Sequence, residues 1–146
     1  MYRERIQEAA KGIRWSKVQA PCPERKIREA EEIVGFPFPE ELKALLRETD
    51  GDRYLLLSAE QIMETVKIHR EILVEAFEDR EEYQEKVDRH IFFATNGCGD
   101  YYCYRVRLDG TVEDTAIYLW EHEDFSVREV AKDLVDLIEK YYNDEI

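Results

Sequence analysis

The sequence is poor in the residues that usually announce chemistry or a compartment. Of 146 residues, three are cysteine (Cys22, Cys98, Cys103) and three are histidine. An odd cysteine count leaves one thiol unpaired in any disulfide scheme, and the spacing of Cys98 and Cys103, without a second close pair, is a poor match to a zinc site. No apolar run approaches the ~20 residues that span a bilayer. Met1-Tyr2-Arg3-Glu4-Arg5 is not followed by the apolar stretch of a secretory signal. The expected setting is the reducing cytoplasm, away from membranes. Basic residues are also scarce, 21 against 34 acidic, for a formal net charge of −13. That balance repels nucleic acid and anionic lipid and attracts a basic partner; it also aids solubility without any partner at all.

What is present fits one domain, long enough to bury about two thirds of its unfolded surface. Ile6, Ala9, Ala10 and Ile13 recur at helical spacing, and Pro21-Cys22-Pro23 breaks the chain after them. Ile27, Ala30, Ile33 and Val34 predict a second helix closed by Gly35. Pro39 suits the first turn of a third, with Glu40 and Glu41 at its positive end and Leu42, Leu45 and Leu46 buried. Asp50-Gly51 turns into a short strand, Tyr54 to Leu57. Ser58 and Gln61 form a capping box that opens a long helix through Ile62, Val66, His69, Leu73 and Phe77. Its continuation is densely acidic, with Glu75, Glu78, Asp79, Glu81, Glu82 and Glu85, read either as a solvated helix end or as a partner site.

The second half changes to strands: Ile91 to Thr95, Tyr101 to Leu108, and Ala116 to Trp120. In the middle one Tyr102, Tyr104 and Val106 share one face and Tyr101, Cys103 and Arg105 the other, so one face is expected to be core and the other partly wet. Ser126 and Glu129 make a second capping box, predicting a final helix that carries Val127, Val130, Ala131, Leu134, Ile138 and Tyr141. The segregation of helices and strands indicates an α+β fold with a mostly antiparallel sheet packed by helices.

Three motifs together carry a likeness. They are Val34-Gly35-Phe36-Pro37-Phe38-Pro39-Glu40-Glu41-Leu42, the strand ending in Asn96-Gly97-Cys98-Gly99-Asp100, and Ala116-Ile117-Tyr118-Leu119-Trp120 ending in Glu121-His122-Glu123. In order and spacing the chain resembles the SUKH superfamily, the Smi/Knr-like proteins, over roughly Arg28 to Tyr142, with residues 1–27 as a helical extension. The resemblance implies a binding protein of the bacterial immunity type, which neutralises a polymorphic toxin, often a nuclease. Some eukaryotic members are regulatory scaffolds, which leaves that reading open. It brings no common catalytic residue set, and the scattered cysteines and split carboxylates lead to the expectation of no required metal or cofactor.

Two constellations could still do chemistry. Cys98 and His122 could form a nucleophile pair, although nothing in the sequence brings them together. Glu121-His122-Glu123-Asp124 could bind a cation or move protons, but strand alternation would send Glu121 and Glu123 to one side and His122 to the other. Asn96 to Asp100 lacks the lysine of a phosphate-binding loop, and its glycines better suit a tight turn. A partner site is the better expectation. Tyr101 and Trp120 are the candidate anchors, rimmed by Asp100, Glu121, Glu123 and Asp124, with Glu78, Asp79, Glu81 and Glu82 as a second acidic candidate. The expected partner is a toxin protein with a basic surface.

Overall fold

A computed structural model describes residues 1–72 and 88–146. The acidic run with Glu78, Asp79, Glu81 and Glu82, and the distal part of the predicted long helix with Leu73 and Phe77, lie outside the described residues. Helices α1 (Tyr2–Ala9), α2 (Glu24–Val34), α3 (Glu40–Glu48) and α4 (Ala59–Lys67) come first, α4 running into a π-helical turn, Ile68–Ile72. Strands β1 (His90–Thr95), β2 (Tyr101–Val106), β3 (Val112–Trp120) and β4 (Val127–Ala131) follow, and α5 (Leu134–Tyr142) closes the chain. The sheet runs in the order β1-β2-β3-β4 with every pairing antiparallel, the α+β arrangement expected.

Local signals set the helix ends. Gly35 closes α2 at φ 95°, a left-handed conformation that costs glycine nothing. The Ser58 hydroxyl accepts the Gln61 N–H at 3.1 Å while Gln61 Oε1 accepts the Ser58 N–H at 2.9 Å, so the capping box forms in full. Pro39 stands one residue earlier than expected, as the N-cap of α3. Behind it Glu41 reaches across the molecule. Its Oε2 accepts the Tyr104 hydroxyl at 2.7 Å and the Leu134 N–H at 2.9 Å, joining α3 to β2 and to the start of α5. Burial pushes its carboxyl up, against the lowering effect of those two bonds.

Three expectations need correction. Tyr54 to Leu57 makes a single bridge, Leu56 to Ala94, flanked by hydrogen bonds from Leu57 N to Phe93 O and Thr95 N to Leu55 O, rather than a strand. Val127–Ala131 is strand β4, not the first turns of the last helix. Pairing with β3 satisfies its backbone and suits its β-branched valines, and Asp133 then caps α5 by accepting the Asp136 N–H at 2.8 Å. The Ser126 hydroxyl donates to Glu121 Oε2 at 2.8 Å instead of capping a helix.

The third concerns the sheet's second face, expected to be partly wet: Tyr101 and Arg105 are half-buried there, but most of the face is a second core. The main core gathers Ile27, Leu42, Leu46, Leu55, Ile62, Phe93, Tyr104, Ile117 and Leu137 between the helices and one face. On the other face Phe92, Cys103, Ala116, Tyr118, Trp120 and Phe125 form a separate aromatic cluster. His69, from the π-helical turn, packs on it edge-on, with ring centroids 5.2 to 5.5 Å from Tyr101, Phe92 and Trp120. Its Nδ1 lies 2.8 Å from Thr65 O, and burial lowers its pKa, so the ring is held neutral among the aromatics. Phe125 adopts φ 58° and stacks on Trp120 at 6.0 Å with planes 11° apart.

Candidate functional site

Antiparallel order places the β1–β2 and β3–β4 connections at the same end of the sheet, and the loop around Tyr54 and the end of α5 meet them there. Each connection is braced by its own side chains. Thr95 Oγ1 accepts the Gly97 N–H at 3.0 Å and donates to Asp100 O, and Asn96 Oδ1 accepts the Cys98 N–H at 2.9 Å. Asp124 Oδ1 accepts the Ser126 N–H at 2.9 Å, which lowers the Asp124 pKa.

Asp100 ties the two connections together. Its Oδ1 accepts the His122 N–H at 3.0 Å and stands 2.6 Å from His122 Nδ1, and its Oδ2 accepts Asn96 Nδ2 at 3.1 Å. Burial raises the Asp100 pKa, but the hydrogen bonds from His122 and Asn96 outweigh it and leave the carboxyl below its usual range. The same hydrogen bond raises the pKa of the exposed His122 ring. Gly99 permits the approach: at φ 94° it turns the chain, and a Cβ there would stand 3.1 Å from His122 Nδ1.

Glu121 to Asp124 therefore do not alternate across a strand. β3 stops at Trp120, and the turn collects Glu121, His122, Glu123 and Asp124 with Cys98 and Asp100 around a hollow of about 280 Å³. Cys98 and His122 thus share one hollow, which the sequence did not reveal. Among the described residues no group of three or more histidine, cysteine or acidic side chains is placed to hold a metal ion. Cys98 is exposed and Cys22 and Cys103 are buried, where desolvation pushes Cys22 up to about 12 and Cys103 higher still.

Next to this hollow, sharing Asp100 and Glu121 with it, lies a larger groove of about 440 Å³. Tyr54, Tyr102, Tyr141 and Tyr142 line it, with Asp144 and Arg128 at its edges. Tyr54 and Tyr142 lie 6.1 Å apart with planes 21° apart, and Tyr141 meets Tyr54, Tyr102 and Tyr142 edge-on at 5.5 to 6.1 Å. Beneath them the fully buried Asp52 anchors the wall. Its Oδ1 accepts the N–H groups of Tyr54, Leu55 and Leu56 at 3.0, 2.9 and 2.8 Å, and its Oδ2 accepts the hydroxyls of Ser16 and Tyr142. Burial and the adjacent Asp52 raise the Tyr142 pKa, so its hydroxyl stays a neutral donor.

Of the anticipated contact residues, Asp100, Glu121, Glu123 and Asp124 are brought together. Tyr101 and Trp120 are not part of that surface. Trp120 is 1% exposed, enclosed by Phe92, Phe125, Tyr101 and His69, and is core rather than an accessible anchor. Half-buried Tyr101 stacks on Phe92 at 5.4 Å. Tyr54, Tyr141, Tyr142 and Asp144 were not among the anticipated contact residues because they lie far from the strand motifs; only the count of nine tyrosines hinted at such a role. Trp15, 63% exposed with the Arg14 guanidinium 4.6 Å from its ring centre, is the exposed tryptophan of this structure. Among the described residues no helix is long and apolar enough to cross a membrane.

Compared with known proteins, the chain matches the model of the SMI1 / KNR4 family (SUKH-1) over residues 21–140. No curated protein matches it.

Proposed function

The chain belongs to the SMI1 / KNR4 family (SUKH-1), and from that premise we propose that it neutralises one cognate protein toxin in the cytoplasm by binding it through the turn end of the sheet. Family membership supports a role of the immunity-protein type in general. The observation that carries the finer reading is the convergence of Asp100, Glu121, Glu123, Asp124 and Asp144 with four tyrosines around two adjoining concavities. Carboxylates so placed complement a basic cleft, and a nuclease is the toxin class whose substrate charge they imitate. Tyrosines contribute rigid area at low entropic cost, and the internal bracing of both connections spares the surface from being ordered on binding.

Neutralisation requires tight capture, since a nanomolar dissociation constant corresponds to about 12 kcal/mol. A charge of −13 speeds encounter within a Debye length, about 8 Å at physiological salt. The test is co-expression with the toxic domain encoded beside its gene, set against an unrelated toxin of the same class, with the on-rate of the purified pair followed as salt rises. Rescue from the neighbour alone and an on-rate that falls with salt are expected. No rescue and no complex between purified components would sink the proposal, and several partners of modest affinity would instead favour a regulatory scaffold.

A further inference from the structure

Taking the turn end of the sheet as the partner-binding surface, we infer that the 440 Å³ groove receives an arginine side chain of the partner and selects guanidinium over other cations. Tyr54, 39% exposed and nearly parallel to Tyr142, offers a ring face at the groove wall. A guanidinium is planar and weakly hydrated, so it stacks on such a face and still donates from its edge. The chain already uses this contact twice elsewhere, with the Arg105 guanidinium 4.1 Å from the Tyr118 ring centre and Arg14 over Trp15.

The edge of a stacked guanidinium needs carboxylate oxygens that are held in place and not already engaged. Glu121 meets both conditions. The Ser126 hydroxyl fixes it through Oε2 at 2.8 Å, and Oε1 has no hydrogen-bond partner among the described residues. Asp144, set at φ 55° with its N–H on Tyr141 O, brings a second carboxylate to the same groove. Asp100 adds charge, but both its oxygens are occupied by His122 and Asn96. Among the described residues, three carboxylate side chains therefore line the groove with one base, Arg128, and a cationic guest is favoured. A lysine ammonium is compact and strongly hydrated, and can neither stack flat nor present a fork.

The probe is a capped Gly-Arg-Gly peptide titrated into the ¹⁵N-labelled chain, beside its lysine and citrulline counterparts. The arginine peptide is expected to shift the amides of Tyr54, Gly99, Glu121 and Asp144 saturably, with the lysine peptide several-fold weaker and the citrulline peptide without effect. Glu121→Gln, which retains an acceptor for Ser126, should weaken arginine binding about tenfold, and Tyr54→Ala about two- to fivefold. Resonances distant from the groove report that both variants remain folded. Equal binding of lysine and arginine, or no saturable shift in this groove, overturns the assignment. The toxin assay separates the two claims. A Tyr54→Ala/Glu121→Gln double variant that no longer binds the peptide yet still protects cells would refute arginine capture and leave neutralisation standing. Peptide binding as described without protection by the unaltered chain would refute neutralisation and leave the guanidinium site standing.

Discussion

Replacing Asp52 by alanine is expected to cost about 3–5 kcal/mol and to unseat one wall of the groove. The side chain is completely buried, and its Oδ1 is the acceptor for three consecutive amides, Tyr54, Leu55 and Leu56. Backbone amides cannot turn away, so each lost acceptor carries the cost of a buried unmade bond, about 1–1.5 kcal/mol apiece. The Ser16 and Tyr142 hydroxyls, which also donate to Asp52, can rotate toward each other, being 3.1 Å apart, and add less. Against a total stability of about 5–15 kcal/mol for a domain, this is a large fraction. Asp52→Asn keeps Oδ1 for the amides and alters only the atom facing the hydroxyls; about 1 kcal/mol is expected. Urea unfolding followed by tryptophan fluorescence measures both, provided the slope with denaturant is unchanged. A loss below about 1 kcal/mol for the alanine variant, or equal losses for the two, would refute the view that this carboxylate organises the loop carrying Tyr54.

Trp120→Ala should remove about 3–5 kcal/mol of folding stability, the range for emptying a large aromatic site; if stability held and only partner affinity fell, Trp120 would be an anchor after all. Gly99→Ala places a Cβ 3.1 Å from His122 at φ 94°, whereas Gly97 at φ 79° has open space around it. The Gly99 variant should therefore lose more stability than Gly97→Ala, and its His122 pKa, read by NMR, should fall back toward the ordinary value. The His122–Asp100 pair should give a pH window. His122 has a raised folded pKa, so its contribution is complete below about 6.5 and is lost as pH climbs through the higher folded value. Asp100 has a lowered one, so its contribution is complete above about 4 and is lost as pH drops through the folded value. Stability of the wild-type chain relative to His122→Gln, measured from pH 3 to 9 in steps of about one unit, should peak between those limits; parallel profiles would discount the pair.

The signals that proved legible are those completed within a few residues. Gly35 needs only its own φ, and Ser58 with Gln61 closes a box over one turn. Strands β1 to β3 were visible through their apolar and aromatic runs. The Ser126/Glu129 box has the same local form as the one at Ser58 and yet does not form, because Val127–Ala131 folds back on β3 as a hairpin, with partners 7 to 14 residues apart, and the four-residue box pattern does not include that partner strand. Trp120 failed for a related reason. Alternation correctly put it on a different face from Leu119, but the second face was expected to be partly wet, and one ring that covers it, His69, comes from α4's π-helical extension 51 positions earlier. At the site, the acidic residues after Trp120 were recognised by composition, whereas their gathering around Asp100 depends on a turn replacing the strand. Tyr54 stands almost ninety positions before Tyr141 and Tyr142, and their rings meet directly in space, with Asp52 bonded to both the Tyr54 N–H and the Tyr142 hydroxyl.

The self-contained bracing of the two connections bears on how such a surface can change over generations. Asn96, Thr95 and Asp100 hold one turn and Asp124, Ser126 and Glu121 the other, while Cys98 and Glu123 line the exposed hollow and their side chains make none of those bracing bonds. Replacements at Cys98 and Glu123 can alter what the surface recognises without loosening the turns that display it. If the turn end is the partner-binding surface proposed above, specificity can be re-tuned at these two positions on a frame that the change leaves untouched.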